Sequence, residues 1–189
     1  MDQFFHIRII IGMVLGLGIT LILKGLSKFI QHPGRYKVYS VHIAWSIYVF
    51  MMLTHFWWWE FHLAYVEVWT FTHYAFVILY IVIYFLLCAI LFPDDIDDYP
   101  GFKDYYYSRR SWFFGLLILI LLVDVGDTWL KGKEYLEHLG TEYFLRTAFL
   151  LVLSGLAIKI RSERFHMVVV AIFILYEILW TLRMYMTLQ

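Results

Sequence analysis

SWFFGLLILILLVDVGDTWL, residues 111–130, decides the fold. Residues 112–123 of this stretch contain no charged side chain, and the run closes on two aspartates, Asp124 and Asp127. A bilayer core about 30 Å thick is crossed by roughly 20 apolar residues of helix. A continuous run of this kind does not alternate as a tilted barrel strand of about 10 residues must. The stretch predicts a transmembrane helix with carboxylates near one end.

Five further runs of the same character lie on either side, at 4–30, 41–62, 69–92, 141–160 and 165–185. The breaks between runs are Gln31-His32-Pro33-Gly34, the acidic segment that opens at Phe92-Pro93-Asp94, and the charged stretches 131–140 and 159–164. Proline and glycine stop helices at such places. The expected fold is therefore an all-α integral membrane protein, a six-transmembrane-helix bundle forming one polytopic membrane domain over residues 1–189. Composition agrees: 62% hydrophobic and 21% aromatic residues against 16% charged would leave large apolar patches exposed in water, so the lipid bilayer is the natural partner.

Fifteen Lys plus Arg balance fifteen Asp plus Glu, which excludes a nucleic-acid protein, because phosphate binding needs a clustered excess of cations. Cys88 is the single cysteine, so neither an intramolecular disulfide nor a thiolate metal cage can form. Lys24, Lys28, Arg35, Lys37, Lys103, Arg109, Arg110, Lys159, Arg161 and Arg164 fall on one side of the six spans; Arg8, Lys131, Lys133, Arg146 and Arg183 fall on the other. The positive-inside rule makes the first side cytoplasmic and puts both termini on the non-cytoplasmic side. No targeting extension is recognisable, which fits a bacterial inner membrane. Gly12 and Gly16 are spaced as GxxxG, so helix one is expected to pack closely against a neighbour or a second copy, making a homo-oligomer.

Ionisable groups inside the spans carry the functional signal, because each costs a few kcal/mol unless paired or wetted. At about 1.5 Å per residue, His55, Asp124, Asp127 and Glu177 all come to lie roughly 18–24 Å from the cytoplasmic face. His73 and Arg146, on spans that enter from outside, reach the same layer, while the inner half is nearly all apolar. A polar cavity open to the outside accounts for this layer. His55, Trp59 and His62 share a helical face, as do Asp124 and Asp127, and Glu177 faces with Trp180 and Thr181. Arg146 and His55 are the candidate partners of Glu177, and Asp127 can meet Lys131 one turn on.

These residues point to a transporter or channel for protons or a small cationic solute. Glu177, Asp124, Asp127 and Arg146 would handle charge, while Trp59, Trp180 and Tyr176 would wall the cavity and hold an organic cation by cation–π attraction. The rival reading is a membrane metalloenzyme in which His55, His62 and His73, completed by a carboxylate, bind a divalent transition metal. Haem is disfavoured, because His42 and His55 do not share a helix face. A third reading is an accessory or sensor subunit whose polar residues meet a partner's helices. No P-loop, GxGxxG or GxSxG occurs, and residues 55–62, HFWWWEFH, lack the HExxH spacing, so an enzyme is not the leading expectation. Trp57-Trp58-Trp59 and Tyr105-Tyr106-Tyr107 read as interfacial anchors, and Asp94-Asp95-Ile96-Asp97-Asp98 as a solvated acidic loop.

Overall fold

The computed structural model describes residues 3–32, 34–66 and 68–185. Among the described residues the chain forms six α-helices, one short 3-10 segment and no strand. The helices are α1 (Gln3–Gln31), α2 (Ser40–Trp59), α3 (Phe71–Ala89), α4 (Phe102–Leu130), α5 (Lys133–Lys159) and α6 (Glu163–Tyr185); the 3-10 segment, Glu60–Tyr65, follows α2 directly. Five of them, α1, α3, α4, α5 and α6, are long and apolar enough to cross a membrane, which suggests a membrane location. α2 is not among these five; it carries His42, Ser46, Thr54, His55 and four tryptophans, Trp45, Trp57, Trp58 and Trp59.

The helices pack as a bundle in which α1 lies against α2 and α3, α3 against α4, α4 against α5, and α6 against α2 and α5. α1 shows how one sequence serves two environments. Ile7, Ile11, Leu15 and Ile22 are buried against the bundle, while Phe5, Ile9, Met13, Leu17 and Leu23 point outward. An apolar outer face of this size suits hydrocarbon better than water. The buried aromatic centre is Trp45 of α2, whose ring meets those of Tyr48, Phe113, Phe114 and Phe173 edge-on at 5.1–5.5 Å. Edge-to-face pairs of this kind add to the area they bury.

The glycines of α1 serve contacts within the chain. A Cβ at Gly12 would meet the Trp57 ring, one at Gly18 the Cys88 sulfur and one at Gly25 the Phe92 ring, whereas Gly16 has nothing within 4 Å. Of the GxxxG pair, Gly12 alone makes a close approach, to the end of α2, and the contact with α3 is made by Gly18. Gly34, after α1, has φ +88°, a conformation that L side chains rarely adopt. Pro33, read with it as the helix stop, lies outside the described residues.

Two sequence boundaries shift. α4 begins at Phe102, nine residues before the expected start at 111, so Tyr105-Tyr106-Tyr107 is helical. Tyr105 and Tyr106 are buried rather than interfacial: the Tyr105 hydroxyl donates to the Ile90 carbonyl at 2.7 Å, and that of Tyr106 lies 2.8 Å from His166 Nδ1. Residues 133–139 are helical and join the fifth span through Gly140 at φ +66°, ψ −171°. Of the acidic loop, Asp94, Asp95, Asp97 and Asp98 are exposed, and Ile96 is buried.

Candidate functional site

Four helices bring one ionisable side chain each to a common cavity: His55 from α2, Asp124 from α4, Arg146 from α5 and Glu177 from α6. Its volume is about 70 Å³, and a water molecule needs about 10–15 Å³ of such space. The remaining wall is mostly aromatic, with Phe56, Trp59, Tyr48, Tyr80, Tyr84, Tyr143 and Trp180. The cavity can therefore hold a few waters or a small ion, but not a drug-sized solute.

Glu177 is the hub. His55 Nδ1 lies 2.6 Å from its Oε1 and Arg146 Nη2 lies 3.4 Å from its Oε2. Facing a carboxylate, His55 Nδ1 is the donor of that bond. Thr181, one turn after Glu177, donates its hydroxyl to the Glu177 carbonyl at 2.8 Å and touches the His55 ring at 3.0 Å. The guanidinium of Arg146 sits over the Trp180 ring at 4.7 Å, a cation–π contact that holds it beside Glu177.

Asp124 is held by hydroxyls instead of cations. Tyr143 donates to its Oδ2 at 2.7 Å and Tyr80 to its Oδ1 at 3.1 Å, while Thr128 donates to the Tyr143 hydroxyl at 3.1 Å. Among the four ionisable groups the count is two carboxylates against one permanent cation, Arg146. With His55 neutral the site is one positive charge short. A proton on His55 or a bound monovalent cation completes it.

Asp127 does not join this cavity. One turn nearer the end of α4, it pairs at 2.5 Å with Lys131, which also reaches Glu60 of the 3-10 segment at 2.8 Å. All three side chains are buried, at 0–5% exposure. The remaining expected residues separate. Tyr176 donates to Glu142 at 3.1 Å, outside the cavity, and Glu142 pairs with Arg183. α2 ends at Trp59, and His62, three residues on in the 3-10 segment, lies beside the Trp59 ring at 5.9 Å and packs on the Tyr135 ring at 4.6 Å, outside the cavity lining. His73 lies near the start of α3, its Nδ1 at 3.2 Å from the Val68 carbonyl. The three histidines of the metal reading are thus not brought together. No group of three His, Cys, Asp or Glu side chains suited to a metal ion occurs among the described residues.

The polar lining residues not anticipated from the sequence are the tyrosines Tyr48, Tyr80, Tyr84 and Tyr143. Helical spacing gave a signal for one of them, since Tyr143 precedes Arg146 by one turn. The other half of the bundle is less apolar than expected. Buried His42 places Nε2 2.6 Å from the Leu91 carbonyl, and buried His166 places Nε2 2.8 Å from that of Ile160. Comparison with protein-family models, curated proteins and solved structures finds no match for this chain. Its function is accordingly argued from this geometry.

Proposed function

We propose that the chain is a six-span membrane protein whose cavity binds and passes a proton or a small monovalent cation. The charge count carries the reading: Glu177 and Asp124 against Arg146 leave room for one positive charge, which His55 can supply as a proton or a bound cation can replace. A net charge left uncompensated in a low-dielectric wall is costly, so the site is poised to hold one ion. The aromatic walls offer ring faces to a cation, and the volume of about 70 Å³ favours sodium, ammonium or methylammonium over a larger solute.

α2 supplies the sixth span. Its 20 residues reach about 30 Å, and its His42 and Ser46 are buried among the other helices, as membrane-depth polar residues generally are, while the exposed Thr54 donates its hydroxyl to the Phe50 carbonyl of its own helix. In this reading the cationic ends of the α1–α2, α3–α4 and α5–α6 connections face the cytoplasm, both termini lie outside, and the cavity sits nearer the outer face.

The test uses the full chain in proteoliposomes carrying a pH-sensitive dye, with proton entry driven by a potassium diffusion potential and then by a sodium gradient. Wild type is expected to change the internal pH under at least one driving force, and Glu177→Gln and Asp124→Asn to abolish that change. Equal signals from wild type, both variants and protein-free vesicles would remove the proposal.

A further inference from the structure

We infer that Glu60, Asp127 and Lys131 form a second proton site, which holds one proton between its two carboxyl groups and releases it when a cation occupies the cavity at Asp124. The inference rests on the proposed cation-binding cavity for its second half only. Lys131 Nζ lies 2.5 Å from Asp127 Oδ2 and 2.8 Å from Glu60 Oε1, and the three side chains are 0–5% exposed. Two carboxylates and one ammonium carry a net negative charge. Removing ions from water is tolerable only where charge is compensated and the remaining lone pairs are satisfied.

Here they are not satisfied by protein groups. Glu60 Oε2 and Asp127 Oδ1 are both buried, and among the described residues neither receives a hydrogen bond. One proton resolves both deficits, since it neutralises the triad and turns an orphaned acceptor into a donor. Asp127, closer to the ammonium, keeps its charge, and Glu60 carries the proton.

The surrounding ionisable groups do not supply the missing charge. Arg8 of α1 shares a small pocket with Glu60, but it is exposed and its guanidinium lies 5.6–5.9 Å from the Phe4 and Phe5 ring centres. Tyr135 of α5 presents its ring 5.9 Å from Lys131 Nζ. His62, on the same 3-10 segment, bonds through Nδ1 with the Trp59 carbonyl at 3.1 Å. Asp124, one helical turn deeper on α4, adds negative charge on the cavity side.

Asp124 is also the link between the sites. Residues three apart on a helix are neighbours about 5–6 Å apart at Cβ, so its carboxylate favours a proton on the triad. A cation bound at Asp124 cancels that influence. With His55 neutral before and after, charge then balances if the Glu60 carboxyl loses its proton to water as the cation enters, giving exchange of one cation for one proton. Thr128, next to Asp127 in the chain, donates to Tyr143, which donates to Asp124, so the supports of Asp124 reach the residue beside the triad.

Two measurements on the full chain in detergent test this. Infrared spectra near neutral pH, with carbon-13 glutamate or aspartate labelling, should show a protonated carboxyl band that shifts with the glutamate label and vanishes in Glu60→Gln. Absence of that band overturns the inference, whatever the cavity binds. Titration with sodium chloride and methylammonium chloride in weak buffer should then release close to one proton per bound cation from wild type. Glu60→Gln, which mimics the protonated acid, should still bind the cation and release none. Equal proton release from Glu60→Gln would place the proton on another group and overturn the coupling. A carboxyl band without cation binding would instead overturn the proposed cavity function and the coupling, leaving the proton site standing.

Discussion

Lys131→Met removes the only cation of the buried triad and keeps most of its volume. Two carboxyls then face each other in a site where their side chains are at most 5% exposed. Breaking a buried ion pair from one side costs about 3–5 kcal/mol, because the charge left behind has lost its compensation. For a chain of 189 residues, each kcal/mol moves the unfolding midpoint by about 2–4 °C. The expected drop is therefore about 6–20 °C in a thermal unfolding assay in mild detergent. The sign of the pH dependence follows from the same charge count. The folded variant accepts the site only with both carboxyls protonated, whereas the unfolded chain has released those protons above the ordinary carboxylate range. The deficit should thus grow as pH rises and shrink as pH falls. A variant that melts within a degree or two of wild type at all pH values would refute the reasoning, because it would mean that the triad is hydrated.

Packing of α1 and support of Asp124 give two further predictions. Gly25→Ala should destabilise the protein by about 1–3 kcal/mol through overpacking against Phe92, while Gly16→Ala, facing open space, should be neutral or stabilise it by up to about 1 kcal/mol; thermal unfolding reads both, and the reverse order would contradict the packing of α1 on α3. Tyr143→Phe removes the 2.7 Å hydrogen bond to Asp124. A hydrogen bond to a charged group is worth about 1.5–3 kcal/mol, so the variant should lose that much stability. Thermal unfolding in detergent reads this loss, and a midpoint equal to that of wild type would show that the Tyr143 hydroxyl does not support Asp124.

The helical bundle and its apolar spans were legible because hydrocarbon-facing sequence is continuous and unambiguous in composition. The layer of His55, Asp124, Arg146 and Glu177 was legible for a related reason: an ionisable group at membrane depth stands out against an apolar background, and rise per residue gives its height. Height does not give azimuth across helices. Tyr80 and Tyr84 read as ordinary apolar positions of α3, and only the packing of α3 on α4 turns the Tyr80 hydroxyl toward Asp124. The short 3-10 segment after Trp59 is equally silent in HFWWWEFH, yet it carries His62 onto the Tyr135 ring and Glu60 to Lys131. The tyrosines at the start of α4 misled for a third reason. An aromatic cluster beside two arginines matches the interfacial pattern, but the Tyr105 and Tyr106 hydroxyls find partners at Ile90 and His166.

Asp124 and Asp127 sit one turn apart on α4, and the fold assigns them opposite kinds of partner: two tyrosine hydroxyls for the first, an ammonium shared with Glu60 for the second. A triad that served stability alone could be replaced by uncharged groups of similar shape without loss, since the desolvation of buried charges offsets much of their attraction. The combined substitution Glu60→Gln, Asp127→Asn, Lys131→Met isolates this point. It removes all three charges together, so it should recover most of the stability lost in Lys131→Met alone. It should also leave the cation site intact, because the groups that line the cavity are untouched. Proton release on sodium binding, in contrast, should be absent, since no ionisable carboxyl remains beside Asp124. A triple variant as unstable as Lys131→Met would show that cavity creation, not charge, dominates that site. One that still released a proton with each cation would move the exchanged proton to His55.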